Sequence, residues 1–76
     1  MTLRQIIETV LERQKLPKAS IARAENISPQ LINYRLNHTE STSVANAMQM
    51  LRGCGYKIVA VPKNERVRDG WFELTE

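Results

Sequence analysis

Residues 18–37, KASIARAENISPQLINYRLN, constrain the fold more than any other stretch of the chain. Ile21 and Ala22 are followed by a polar break at Glu25-Asn26, then Ile27, then Ser28-Pro29, then Ile32 and Leu36. Asn tolerates the left-handed backbone that commonly ends a helix, so Asn26 marks a stop. Ser is a good N-cap and Pro a good first helical residue, so Ser28-Pro29 marks a start. The pattern predicts two short helices joined by a tight turn, with Ile21, Ala22, Ile27, Ile32 and Leu36 turned toward one core.

Periodicity extends this unit in both directions. Leu3, Ile6, Ile7, Val10 and Leu11 recur at helical spacing and predict a first helix from about Thr2 to Arg13, with Leu16 anchoring the connection into the core. Pro17 suits the first turn of the second helix, which would also turn Ala24 inward. Leu31 is a further candidate for the core side of the third helix. The polar loop NHTESTS at 37–43 offers Ser41, Thr42 and Ser43 as caps for a fourth helix. Val44, Ala47, Met48 and Leu51 would form its apolar stripe, Met48 and Met50 would fill core and interface, and Gly53 and Gly55 would stop it.

The pattern then changes. Residues 56–61, YKIVAV, are short and rich in strand-forming types, and Pro62 ends them. The polar stretch KNERVRDG leads to Trp71, Phe72, Glu73 and Leu74, a second candidate strand. In strand geometry Tyr56, Ile58 and Ala60 share one face and Lys57, Val59 and Val61 the other. Both faces are apolar, and the helices can cover only one. Pairing between two copies about a two-fold axis would cover the second, with Tyr56, Ile58, Val59, Val61, Trp71 and Phe72 at the interface. A fold-back of the long loop would do the same within one chain. The expected architecture is mainly α: one domain over 1–76, a four-helix core over 1–55, and a C-terminal strand or hairpin over 56–76.

Composition narrows the function. A chain of 76 residues is marginally stable alone, which favours association. The single cysteine, Cys54, allows no intrachain disulfide, and with His38 the only histidine a zinc site is not expected. A free thiol fits a reducing cytosol. No apolar run approaches a membrane span, and the charged N-terminus lacks the apolar centre of a signal peptide, so a soluble cytoplasmic protein is expected. Net charge is +3. Before Thr39 there are six basic side chains against three acidic ones; from Thr39 onward the two are equal at five each. The excess therefore lies in the half holding the two-helix unit, as a phosphate-binding patch or as an ordinary solvated helical surface. No residues group as a triad, a metal set or a cofactor cradle. His38 lacks partners for general-base work, and Cys54 between two glycines reads as a turn residue rather than a nucleophile.

From Lys18 to Leu36 the chain resembles the helix-turn-helix of the phage repressor/Cro (Xre) family. Ala22 stands where the family places a small residue at the helix crossing, Asn26 where it commonly has a turn glycine, and Ile27 and Ile32 at its apolar positions. The flanking helices and the strand after GCGYK extend the resemblance over roughly residues 1–62. Arg35 departs from it, standing where the family buries an apolar residue. Leu36 could substitute after a small rotation, which shifts the outward register.

The resemblance implies a homodimeric repressor on a pseudo-palindromic operator, with the third helix in the major groove. Gln30 and Asn33 lie one turn apart and carry amides that match adenine's donor and acceptor, and Tyr34 could meet a thymine methyl or a phosphate. Each is also what a solvated helix presents. Lys18 opposes the dipole at the start of its helix, an arrangement that a phosphate would reverse. Ser20 and Ser28 could donate to the same backbone, and Arg35, Asn37, His38 and Thr39 follow as phosphate contacts. The unmatched tail from Lys63 allows an antitoxin that also holds a toxin protein. A protein-binding module without DNA affinity and a winged helix with residues 63–68 as wing are further alternatives.

Overall fold

The computed structural model describes residues 1–75. Four α-helices form: α1 (Leu3–Gln14), α2 (Ala19–Glu25), α3 (Pro29–Asn37) and α4 (Val44–Gly53), with a short 3-10 turn at Thr39–Ser41 between α3 and α4. α2 packs on both α3 and α4, and α1 closes the other side of α3 and α4. One core results. Ile7, Ile21, Ile32, Met50 and Val10 are its fully enclosed side chains, with Ile27, Tyr56 and Phe72 packed at its margin.

The helix ends follow local chemistry. Thr2 and Gln5 form a reciprocal capping box at the start of α1. The Ser28 hydroxyl accepts from the Leu31 amide at 3.1 Å, with Pro29 behind it as the first residue of α3. Of the three candidate caps for α4, Ser43 takes the role, accepting from Asn46. Three helices stop on a left-handed residue: Lys15 and Asn26, both at φ 55°, and Gly55 at φ 87°. In each case the next amide reaches back five residues, Leu16 to Leu11, Ile27 to Ala22 and Tyr56 to Leu51, and so satisfies carbonyls the helix would leave open.

Several expectations are corrected. α2 begins at Ala19, not at Pro17, because the amides of Ser20 and Ile21 bond to Pro17 and Lys18 in three-residue steps before the α ladder starts. Leu16 secures the connection with its backbone, while its side chain stays exposed. Ala24 and Leu31 also face outward. The buried stripe of α4 is Ala47, Met50 and Leu51, continued by Cys54 just past its end; Val44 and Met48 lie outside it. Gly53 does not break α4 but is its last residue, set against α2.

The larger difference lies after Gly55. Among the described residues no strand forms. A strand is defined by its partner, and residues 57–61 make no backbone hydrogen bond with another described residue. The tail instead crosses back over α1. Tyr56 and Phe72 rings meet at 5.9 Å, Arg13 lies over Phe72, and residues 73 and 75 bond to Met1. The fold-back covers part of the second apolar face, yet Val59, Val61, Trp71 and Leu74 stay about half exposed.

Candidate nucleic-acid interface

α3 carries the site, and its orientation is set by what it buries. Ile32 is completely enclosed and Leu36 nearly so. At 3.6 residues per turn, that leaves Gln30, Asn33, Tyr34 and Asn37 on the opposite side as one continuous row. All four are exposed. Among the described residues Gln30 and Asn33 have no side-chain hydrogen-bond partner, so both amides keep their donor and acceptor capacity. Leu31, read as a core candidate, stands on the surface beside this row.

Ala22 of α2 is buried, and Ile27 is half buried behind the Asn26 turn. Burying an aliphatic side chain of this size is worth roughly 1.5–3 kcal/mol, so the enclosed Ile21 and Ile32 are the principal ties across the unit.

The end of α3 is more constrained than its start. Tyr34 and His38 rings stack with centroids 4.2 Å apart and planes 24° from parallel. The His38 Nδ1 lies 2.8 Å from the Tyr34 carbonyl oxygen. A carbonyl can only accept, so Nδ1 carries the proton and Nε2 is left for an outside partner. Asn37 accepts from Arg4 of α1 at 3.2 Å through Oδ1, which leaves its amide N–H groups to donate. Arg4, reached from another helix, is a cation at this edge that sequence spacing did not single out.

Arg35 is drawn inward. Its Nη1 donates to Gln49 Oε1 of α4 at 2.9 Å, and its Nε is buried with no hydrogen-bond partner among the described residues. Leu36 takes the core place that the resemblance assigns to an apolar residue at 35. A guanidinium so engaged braces α3 against α4. Gln49 carries no sequence signal for this role.

The remaining phosphate candidates are dispersed. Ser28 is exposed, and its hydroxyl proton remains free while its oxygen caps α3. Lys18 is exposed at the N-cap of α2 and makes no capping bond with its side chain. Ser20 is half buried within α2, away from the α3 row, and Thr39 is half buried in the 3-10 turn. The Thr42 hydroxyl ties that turn to the carbonyls of Arg35 and His38, at 3.3 and 3.1 Å.

The dimer candidates divide. Tyr56 and Phe72 are partly buried against the core of their own chain, whereas Ile58, Val59, Val61 and Trp71 remain exposed. Among the described residues no group of three or more His, Cys, Asp or Glu side chains could hold a metal ion, and no helix is long and apolar enough to cross a membrane. No protein-family model matches the chain, and neither the curated proteins nor the solved structures searched include a match.

Proposed function

We propose that this chain is a sequence-specific double-stranded DNA-binding regulator of transcription that acts in the cytosol as a homodimeric repressor. The observation that carries the reading is the division of α3. Ile32 and Leu36 are locked in the core, and Gln30, Asn33 and Tyr34 stand exposed in a row with unused hydrogen-bonding groups. A helix entering the major groove needs such a row, because base edges there are read by bidentate amides and apolar contacts. Phosphate contacts would come from Ser28, the Asn37 amide and Arg4, around the two ends of α3. The charge excess in residues 1–38 supports the same reading.

The dimer would form by pairing residues 57–61 of two copies, Val59 facing Val59 near the two-fold axis. Support comes from their unused backbone groups and from the exposed Ile58, Val59 and Val61. Two copies of α3 would then meet half-sites roughly 34–36 Å apart on one DNA face. The exposed Val67, Trp71 and Leu74 favour a second reading, in which the tail also holds a toxin protein. Selection of bound sequences from random DNA tests the main reading. A palindrome with half-sites one helical turn apart is expected, and recovery of no consensus contradicts it.

A further inference from the structure

A groove of about 570 Å³ lies between the C-terminal segment and the helices. That volume falls within the range of small-molecule sites. It is lined by separate stretches of the chain: Leu3 and Ile6 of α1, then Ile58, Val59 and Val61, then Trp71 and Phe72. Among the described residues the lining is mainly aliphatic and aromatic, with charge from Lys57, Arg66 and Glu73. Neither Lys57 nor Arg66 has an ion-pair partner among the described residues. Among the described residues the groove therefore pairs an apolar trough with a net excess of positive charge.

We propose that this groove binds a free aliphatic carboxylate, with the alkyl chain along Ile6, Trp71 and Phe72 and the carboxylate at Arg66 and Lys57. Apolar burial supplies about 0.8 kcal/mol per methylene enclosed. The two cations select an anionic head over a neutral or cationic one. Residues 58–61 also belong to the proposed pairing surface, so an occupied groove would compete with dimer formation. That consequence rests on the repressor reading; the binding site does not.

The test uses the full chain without DNA, so its outcome is independent of DNA binding. Trp71 is the only tryptophan and lines the groove, which makes its fluorescence a direct reporter. Dodecanoate, kept below its micelle concentration, should change the emission saturably with one ligand per chain. Dodecanol and dodecyltrimethylammonium should bind more weakly. Arg66→Glu, a substitution on an exposed loop, should weaken dodecanoate by about tenfold, the loss of one charged contact. Val67→Asp, also exposed and lining the groove, should block it without entering the core. The proposal is overturned by a linear, unsaturated response, by equal binding of the cationic amphiphile, or by dodecanoate affinity unchanged in Arg66→Glu.

Discussion

α2 and α4 meet at Gly53, where an added Cβ would stand 2.8 Å from Cγ2 of Ile21 and 3.3 Å from its Cα. Ile21 is fully enclosed and has nowhere to retreat. The same junction carries the Arg52–Glu25 ion pair, whose Nη2 and Nε donate to one carboxylate oxygen at 2.9 and 3.1 Å. Glycine thus sets the distance between these helices, and the ion pair closes the contact at its rim.

Gly53→Val should destabilise the fold by about 1–3 kcal/mol, the usual consequence of forcing extra carbons into a packed contact. Urea unfolding followed by circular dichroism measures it. A lower midpoint with an unchanged slope is expected; an unchanged or higher midpoint would mean that α2 and α4 are not in contact there.

Lys15 holds a left-handed backbone at the end of α1, a conformation that suits glycine better than any residue with a Cβ. Lys15→Gly should therefore stabilise the chain by about 0.5–1 kcal/mol, despite the entropy glycine adds to the unfolded state. Thermal unfolding should shift upward, and a downward shift would contradict the observed helix end.

Cys54 is buried, and its thiol donates to the Leu51 carbonyl at 3.3 Å and lies 3.5 Å from that of Met50. Burial pushes the thiol's pKa above its ordinary value. The folded chain therefore keeps this proton at a pH where the unfolded chain has released it. The resulting stability is complete below the ordinary thiol value and is lost as pH rises toward the folded one. The urea midpoint should fall as pH rises above the ordinary thiol value, and Cys54→Ala should remove that slope. An identical slope in the variant would assign it to other groups.

Self-association is tested by Val59→Asp. The wild-type chain should sediment at twice its mass of 8.7 kDa and the variant at once that mass. Because Val59 is half exposed, the variant should retain its helical spectrum. A monomeric wild type would contradict the pairing of residues 57–61.

The helical half was legible because its signals are local. Thr2, Asn26, Ser28-Pro29 and Ser43 act through their own backbone neighbourhoods, and the spacing of Ile6, Ile7, Val10, Ile32 and Leu36 survives folding unchanged. The errors have non-local causes. Met48 and Met50 are chemically alike, and only the packing of the other helices on α4 decides which is buried. Gly53 reads as a stop in one dimension and acts as a spacer in three. Residues 56–61 have the composition of a strand, but composition cannot supply the second row of backbone groups that a strand requires. At the site, the outward position of Gln30 and Asn33 followed from burial of their neighbours. The Arg35–Gln49 and Arg4–Asn37 contacts, which join different helices, left no trace in spacing.

The central claim is that the exposed amides of α3 distinguish one base pair from another. The direct measurement compares wild type, Gln30→Ala and Asn33→Ala on a selected site and on its single-base variants. Each substitution should abolish about 1–3 kcal/mol of discrimination at one position. Both should leave the salt dependence intact, whereas Arg4→Ala should flatten its slope by about one unit. Unchanged base preference in both amide variants would contradict the account.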